Sequence, residues 1–333
     1  MFLSVLQAGG ARLLYYPAFC KPEVELELMR NNVAELFDNS NYERCVEESD
    51  LVYDTTGFLG KVIVQRQVPV KGIIEHTASG ISVYKDFATR NVLRQPVLDL
   101  DSSYAKRVGE NKLATGLGLI EALLRLHLFL PNKQMLVLGM GNVGSSCARY
   151  LRGIGCKVAV FDVDSDKMTQ AEKLGYQIGA LDELLPLADI IVNATASSDP
   201  VLKATELEKL KSGTILANMG GNGWDRTVFN DKKMQVVGDC IRKIFLKDSL
   251  YVYELAQGFP INFALASGTD AETMDVVFSL SVLALEYLVN NYDSLPKTLQ
   301  PIPEEIQNRH LELVERYSRR KDLVELKKDA SIN

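Results

Sequence analysis

A glycine-rich segment in the middle of the chain has the spacing of a dinucleotide-binding turn. Its G-x-G-x-x-G pattern consists of Gly139, Gly141 and Gly144. The pattern directly follows the apolar run 135–138 and opens a helical stretch, which is the context that this fingerprint requires. The first glycine permits the tight turn, the second lets a pyrophosphate approach the backbone, and the third allows close helix–strand packing. The N–H groups at the helix start, from Asn142 and Val143, can then meet the phosphate charge.

A carboxylate ends the next predicted strand. The apolar run 157–161 is followed by Asp162, which lies 18 residues after Gly144. A carboxylate at this point accepts hydrogen bonds from ribose hydroxyls and repels a 2′-phosphate. The sequence therefore predicts NAD, rather than NADP, as the cofactor.

Amide and small residues follow two later strands, predicted over 189–193 and 214–218. They are Asn193, Thr195, Asn218 and Gly220. A doubly wound sheet binds its ligand at the carboxyl ends of its strands, so these residues can line a nicotinamide. Asn and Gly are also common turn residues, and both interpretations stay open.

A second group of chemically capable residues precedes the glycine motif. Lys106 and Glu110 are four residues apart, Asn111 follows them, and His76 lies further upstream. Hydride transfer from an alcohol needs a base for the hydroxyl proton, and a lysine beside a carboxylate can supply it. The same spacing also describes a surface ion pair. On spacing alone the ion pair is favoured, and a lone histidine is more often structural than catalytic.

Strands alternate with helices through the middle of the chain, which predicts a parallel sheet with helices on both faces. We assign the chain to the α/β class, with a Rossmann-type doubly wound parallel sheet over 113–267. A second, discontinuous α/β substrate domain is expected from 1–112 and from C-terminal helices in 268–333. Helices are expected over 22–37, 143–153, 165–174, 204–211, 270–291 and 303–328, and further strands over 51–53, 61–65 and 97–100.

The composition excludes several classes of function. Lys and Arg number 37 and Asp and Glu number 43, a net charge of −6. The chain therefore lacks the basic footprint of a nucleic-acid-binding protein, and a small-molecule substrate is expected. The cysteines are scattered and form no C-x-x-C, which argues against a disulfide framework or a zinc site. They are Cys20, Cys45, Cys147, Cys156 and Cys240. Three histidines are too few for a His-rich metal centre, so no metal is expected.

The apolar segments predict no membrane insertion. The N-terminus has a short apolar start without a basic stretch, so no signal peptide is predicted. The most apolar stretch, 276–289, carries Glu286 and is shorter than the ~18 residues that span a bilayer. We expect a cytoplasmic protein. Because this helix has more apolar surface than a peripheral helix needs, it is either core or an interface, and a homodimer or higher homo-oligomer is expected.

Several segments occur in the order in which S-adenosylhomocysteine hydrolases have them. The chain from about Gly72 to Leu311 resembles that family. Segment 72–80 (G-I-I-E-H-T-A-S-G) is similar to the family's G-I-S-E-E-T-T-T-G, 101–106 (D-S-S-Y-A-K) to N-D-S-V-T-K, 139–144 (G-M-G-N-V-G) to G-Y-G-D-V-G, 218–220 (N-M-G) to N-I-G, and 255–262 (L-A-Q-G-F-P-I-N) to L-A-E-G-R-L-V-N.

The resemblance implies an enzyme that uses tightly held NAD to oxidise a ribose 3′-hydroxyl. A thiol is then eliminated, water adds, and the ketone is reduced back. It implies that Lys106 is the catalytic lysine, that Glu110 stands at the family's catalytic aspartate, and that Asn111 stands at its asparagine. The implied positions around NAD are Thr77, Ser79, Asp162, Asn193, Asn218 and Asn262.

The chain departs from the family at several positions. His76 stands at the family's catalytic glutamate, Thr115 at a cysteine near the nicotinamide, and Gly221 and Thr269 at two histidines. The region before residue 54 is shorter than the family's adenosine-reading segment, and no C-terminal Lys–Tyr tail is matched. We therefore expect an oxidoreductase-type enzyme with an altered substrate, which carries a hydroxyl as a nucleoside or a small polar metabolite does. Lys106 is its expected base and His76 a proton relay.

Two alternatives stay open. Segment 111–124, with Thr115-Gly116 before an amphipathic helix, also resembles the linker into the NAD domain of amino-acid or shikimate-type dehydrogenases. The replaced histidines are also compatible with a non-catalytic NAD-binding sensor or partner subunit. The identity of the oxidised substrate separates the two enzymes, and the absence of turnover would indicate the sensor.

Overall fold

The computed structural model describes residues 2–17, 22–197 and 199–328. The chain divides into two compact units. The central unit is Arg107–Thr273, and the split unit combines Met1–Lys106 with Met274–Asn333. The central unit extends beyond the expected 113–267 at both ends. Of the cysteines, Cys45, Cys147, Cys156 and Cys240 are free thiols, and Cys20 lies outside the described residues.

The elements are as follows in chain order. The helices are α1 Phe2–Ala8, α2 Pro22–Arg30, α3 Tyr42–Glu47, α4 Phe58–Arg66, α5 Ala78–Thr89, α6 Thr115–Arg125, α7 Asn142–Gly153, α8 Ser165–Lys173, α9 Leu181–Leu184, α10 Ala204–Leu207, α11 Ile261–Ala264, α12 Ala271–Asn291, α13 Glu304–Tyr317 and α14 Asp322–Lys328. The strands are β1 Leu14–Tyr15, β2 Glu35–Leu36, β3 Leu51–Asp54, β4 Gly72–Glu75, β5 Val97–Asp99, β6 Gln134–Leu138, β7 Lys157–Phe161, β8 Ile190–Asn193, β9 Thr214–Asn218, β10 Met234–Gly238, β11 Ile241–Lys247, β12 Leu250–Leu255 and β13 Leu299–Pro301. A π-helix, Ala105–Ala114, precedes α6.

The central unit contains a seven-stranded sheet in the order β10-β11-β12-β9-β8-β6-β7. Strands β6 to β9 and β12 are parallel, and β10 and β11 add an antiparallel edge. The chain passes from β6 to β7 on one side and resumes on the other side at β8. This reversal is the topological switch point of a doubly wound sheet, where such folds bind ligands. The predicted fold class is confirmed.

Side chains of β6 alternate between two hydrophobic clusters, one on each face of this sheet. Met135 and Val137 belong to the cluster that α6 and α7 complete. Leu136 and Leu138 belong to the opposite cluster, which includes Trp224. Because successive residues of a strand point to opposite faces, an uninterrupted apolar run requires cover on both.

The split unit has its own four-stranded parallel sheet, in the order β13-β5-β4-β3. Strand β13 comes from the C-terminal part of the chain and pairs with β5, which makes the unit discontinuous. The core beside the sheet contains Ile63, Ile73, Tyr84 and Val97. A parallel β1–β2 pair of two residues each lies apart from this sheet.

The predicted strand over 61–65 is wrong, because these residues belong to helix α4. The chain turns after β3 through Gly57, which has a φ of 65°. The Asp54 carboxylate then accepts hydrogen bonds from the N–H groups of Leu59 (3.1 Å) and Gly60 (2.9 Å). An acceptor at the start of a helix satisfies N–H groups that have no partner within the helix. This tertiary contact overrides the β-propensity of the apolar run.

Three predicted helices are shorter than expected. The helix over 22–37 ends at Arg30, and the chain then forms β2. The helix over 204–211 ends at Leu207. The helix over 303–328 consists of α13 and α14, because Ser318 adopts an extended conformation with a ψ of 156°.

Helix α12 is the apolar helix that the sequence predicts. Val276, Val277, Leu280 and Ala284 are each at most 1% exposed, so this side is core. Among the described helices, none combines enough length and hydropathy to span a bilayer.

Ile73→Ala tests the split-unit core. Ile73 is fully buried in β4, and removal of a buried Ile side chain costs about 2–5 kcal/mol. Urea unfolding followed by circular dichroism measures the loss. Val163→Ala is the control, since Val163 is 94% exposed and should change stability by less than about 0.5 kcal/mol. An Ile73→Ala loss as small as that of the control would contradict the buried position of β4.

Candidate functional site

The glycine turn joins β6 to α7 with almost no space between them. Gly139 has a φ of +90°, and its N–H donates to the Phe161 carbonyl at 2.8 Å. A Cβ on Gly144 would lie 1.8 Å from the Gly139 carbonyl oxygen. The first and third glycines therefore have the structural roles that the sequence predicts.

Gly141 faces open space. A Cβ built on it would meet no atom within 4 Å, unlike one on Gly139 or Gly144. Helix α7 begins immediately after it with Asn142 and Val143. The first N–H groups of a helix have no intrahelical partners and attract anions. The turn therefore has the open approach and the donors that a pyrophosphate requires.

Asp162 lies directly beside this turn. Its carboxylate accepts from the N–H of Met140 at 2.6 Å and of Asp164 at 3.0 Å, and Lys167 Nζ lies 3.5 Å away. Burial raises the pKa of Asp162, but these hydrogen bonds and the lysine charge outweigh it and hold the pKa below its usual value. The carboxylate stays ionised at neutral pH, as a ribose-binding acceptor must.

Asn193 and Asn218 connect the loops that follow β8 and β9. Asn193 Nδ2 donates to Asn218 Oδ1 at 2.8 Å, and Asn218 Nδ2 donates to the Gly258 carbonyl at 2.7 Å. Thr195 Oγ1 donates to Asn193 Oδ1 at 2.9 Å, and the Gly220 N–H donates to Asn218 Oδ1 at 3.0 Å. The structure brings these four predicted residues together, and their amides hold the loops in place. These contacts show a structural role in the turns, and the nicotinamide role stays a prediction.

Asn262 has an unsatisfied acceptor. The residue is 3% exposed in α11, and its Oδ1 has no hydrogen-bond partner among the described residues. Helix α11 begins after Pro260, which pairs with Asn218 at the end of β9. An N–H donor from a bound ligand, such as a carboxamide, would satisfy this oxygen. The residues of this edge therefore fit a dinucleotide.

Three carboxylates end neighbouring strands of the split unit. Asp54, Glu75 and Asp99 are paired in register across β3, β4 and β5, so all three lie at the carboxyl edge of the sheet. Glu75 is fully buried and accepts from the N–H of Thr77 at 2.7 Å and of Gly57 at 3.0 Å. The sequence analysis assigned no functional role to Asp54 or Glu75. The strand-end rule that identified Asp162 could have found them.

Burial sets the protonation of this cluster. Burial, with the nearby Asp54 charge, raises the pKa of Glu75 to about 8, although hydrogen bonds from Thr77 and Gly57 oppose the shift. Burial also raises the pKa of Asp54, against the hydroxyl of Tyr84, which donates to it at 2.7 Å. Glu75, which precedes His76, therefore keeps its proton at neutral pH.

Thr77 and Ser79 lie at the start of α5. Thr77 Oγ1 donates to Glu75 Oε1 at 2.6 Å and accepts from the N–H of Thr56 at 2.8 Å and of Gly80 at 3.1 Å. Ser79 is exposed, with its Oγ 3.3 Å from Thr77 Oγ1. Thr77 thus connects two loops, and Ser79 faces the surface.

His76 follows Glu75 and lies in a small aromatic cluster. It is 9% exposed, and its Nδ1 lies 2.5 Å from the hydroxyl of Tyr53. That hydroxyl lies 3.2 Å from Ser281 Oγ. The Phe2 ring stacks on Phe278 and contacts Tyr53. The sequence analysis did not single out Tyr53, which orients the imidazole.

Lys106, Glu110 and Asn111 lie on the π-helix Ala105–Ala114. Main-chain hydrogen bonds of a π-helix join residues five apart. Glu110 and Asn111, four and five positions after Lys106, therefore lie on the same side of the helix as Lys106. Lys106 is 6% exposed and Glu110 is 5% exposed. Burial of both contradicts the surface ion pair that spacing alone favoured. Thr269, which stands where the family has a histidine, contacts Glu110: its Oγ1 lies 3.4 Å from Glu110 Oε1.

Residues 113–268 match the family model described as S-adenosyl-L-homocysteine hydrolase, NAD binding domain. The chain is similar to the S-adenosylhomocysteine hydrolases over this domain. This confirms the resemblance, and NAD is the cofactor of the domain. The chain is 29% identical over 266 residues to adenosylhomocysteinase of Sulfurisphaera tokodaii, which covers 78% of this chain and 64% of that protein. The chain thus spans less than two thirds of that relative.

The chain is also similar to two further proteins. The chain is 26% identical over 338 residues to S-inosyl-L-homocysteine hydrolase of Methanopyrus kandleri, which covers 94% of this chain and 79% of that protein. The solved Salmonella D-lactate dehydrogenase has a TM-score of 0.42 and 18% identity, over 65% of this chain and 73% of that one.

Gly141→Ala tests the NAD-binding turn of this hydrolase relative. Its methyl group would occupy space that is open in the chain but needed by a pyrophosphate. We expect NAD affinity to fall at least tenfold, about 1.4 kcal/mol, in isothermal titration calorimetry. The melting temperature without NAD should stay unchanged. Gly153→Ala is the matched control, since its Cβ would also meet nothing within 4 Å but lies at the far end of α7. Equal NAD affinity in both variants would contradict the assignment.

The raised pKa of Glu75 predicts a pH dependence of stability. Between about pH 4.5 and 8 the folded chain keeps the Glu75 proton, whereas the unfolded chain has released it. The Glu75 contribution to the free energy of unfolding should therefore fall as pH rises through this window, by up to about 1.4 kcal/mol per pH unit. Burial lowers the pKa of His310 to about 4, so this residue contributes the opposite slope below its ordinary pKa of 6.5. Urea unfolding at several pH values measures the slope. Glu75→Gln should remove the Glu75 contribution, and Glu312→Gln, on an exposed residue, should not. Equal slopes in the wild type and in Glu75→Gln would contradict the shift.

Proposed function

We propose that this chain is an NAD-dependent enzyme of the S-adenosylhomocysteine-hydrolase type, which oxidises a hydroxyl of a nucleoside thioether with Lys106 as base. The observation that carries the proposal is the burial of Lys106 and Glu110, with the half-buried Asn111 beside them on one π-helix, directly before the NAD-binding domain. A buried lysine and carboxylate at helical spacing are costly unless they serve each other or a substrate.

The roles follow from the chemistry of each group. Bound NAD supplies a hydride acceptor. Lys106 Nζ accepts the proton of the reacting hydroxyl, and Glu110 compensates the charge that Lys106 then carries. Asn111 orients the hydroxyl through its amide. His76, held through Nδ1 by Tyr53, relays the proton that the family's glutamate would handle.

We propose that one set of residues binds NAD. It consists of Gly139, Gly141, Asn142, Val143, Gly144, Asp162, Asn193, Thr195, Asn218, Gly220 and Asn262. Thr77 and Ser79 of the split unit stay predictions that rest on the resemblance alone. We place the domain boundaries at 1–112, 113–267 and 268–333. No metal takes part in the proposed reaction.

The substrate is proposed from the relatives' names. Relatives are named for S-adenosyl- and S-inosyl-L-homocysteine, so a nucleoside attached to homocysteine through sulfur is the proposed class. His76 adds a group that both donates and accepts hydrogen bonds. The two thioethers differ in an adenine amine and an inosine carbonyl, so their rates of turnover should be compared directly. We further propose that the protein is cytoplasmic and forms a homo-oligomer. Sedimentation velocity would measure the number of subunits.

Lys106→Ala tests the catalytic role. The assay supplies S-adenosyl- or S-inosyl-L-homocysteine and measures the released homocysteine with a thiol reagent. Loss of a general base costs about 10²–10⁴-fold in rate, so at least a 100-fold loss is expected with NAD affinity retained. Arg107→Ala is the control, because Arg107 is exposed on the same helix. Equal rates in both variants would contradict Lys106 as base.

The NAD content of the purified chain completes this test. Stoichiometric NAD released on denaturation would support tight, recycled cofactor. Turnover of an amino acid or shikimate, with NAD exchanged in each cycle, would instead indicate an ordinary dehydrogenase. Bound NAD with no turnover of any candidate would indicate a sensor.

A further inference from the structure

The split unit contains a cavity of about 470 Å³. Its size lies within the range of small-molecule sites, about 300–1,000 Å³. It is formed where α4 and α5 end and where the chain enters β4 and β5. Residues that line it include Lys61, Ile63, Phe87, Arg90, Arg94 and Gln95.

The cavity lies away from the candidate catalytic residues of this unit. Gln67 and Val68 line it and precede β4, and Gln95 precedes β5. Glu75 and His76 lie at the opposite, carboxyl end of β4. A four-residue strand spans about 13 Å, so the cavity belongs to the other edge of the sheet.

The charge of the cavity is positive in a chain of net charge −6. Lys61, Arg90 and Arg94 line it, and no acidic residue does. Arg90 pairs with the exposed Asp86 at 3.0 Å, but Lys61 and Arg94 form no ion pair with a described residue. The ends of α4 and α5 each contribute only about half a negative charge. The balance therefore favours an anion.

The inner wall is apolar and carries one unsatisfied donor. Ile63 and Phe87 are 1% and 7% exposed. Gln95 is 3% exposed, and its Nε2 has no hydrogen-bond partner among the described residues. A buried donor without a partner is costly, so an acceptor from a ligand would stabilise it.

We propose that this cavity binds a small organic anion that combines one phosphate or carboxylate group with a flat apolar body. The anionic group lies between Lys61 and Arg94. The body contacts Ile63 and Phe87, and a ligand acceptor receives the Gln95 amide. The site is separate from the NAD-binding turn and does not depend on the proposed reaction.

The test uses the full chain with saturating NAD, so that the dinucleotide site is filled. The probe is 1-anilinonaphthalene-8-sulfonate, an aromatic anion whose fluorescence rises in apolar sites. We expect saturable binding of one probe per chain, weakened at high salt. Lys61→Ala with Arg94→Ala should lower its affinity at least tenfold. The control is Lys85→Ala, an exposed lysine on α5 outside the cavity lining.

Competition then identifies the anionic group. Displacement of the probe by phenyl phosphate indicates a phosphate ligand, and displacement by benzoate indicates a carboxylate. Gln95→Met should lower the affinity of whichever competitor displaces the probe more effectively, because it removes the amide donor. Equal probe affinity in the double variant and in Lys85→Ala would overturn the proposal, as would the absence of saturable binding. Circular dichroism and NAD titration of each variant verify folding, and unchanged thiol release keeps this result separate from the catalytic proposal.

Discussion

The near-contact between Gly144 and the Gly139 carbonyl is the constraint on which the central unit depends. A methyl group at Gly144 would lie 1.8 Å from that oxygen, so α7 can approach β6 only because Gly144 lacks a side chain. This approach places the first turn of α7 beside Asp162, whose carboxylate holds the N–H of Met140. The anion-binding helix start and the ribose acceptor are thus positioned by one turn.

Parallel strands give both units the same functional edge. The carboxyl ends of all strands in a parallel sheet lie at the same edge, so polar residues at those ends cluster even when they are distant in sequence. In the central unit the cluster consists of Asp162, Asn193 and Asn218. In the split unit it consists of Asp54, Glu75 and Asp99. The two clusters differ in charge state, since Asp162 is held ionised whereas burial favours the protonated form of Glu75.

Local patterns explain how much of the fold and of the candidate site was predictable. The central unit was predicted because each strand is a short apolar run followed at once by its turn residues. The 61–65 run has the same composition, yet it is helical because Asp54 caps α4 from outside the segment. Strand β13 pairs with β5 across just over two hundred residues, a contact that no local pattern encodes. The site followed the same rule: strand-end residues of β6 to β9 were found, whereas Tyr53, which orients His76, depends on tertiary packing.

The form of the helix that carries Lys106 explains why three polar residues occur together there. In an α-helix, positions four residues apart share a face, and a fifth position turns away from it. A π-helix has more residues in each turn, so the residues four and five positions after a given residue lie on either side of it. Glu110 and Asn111 can then both face Lys106. π-Helices are rare and occur often at functional sites, so the run from Ala105 to Ala114 supports the proposal that its polar residues have a functional role.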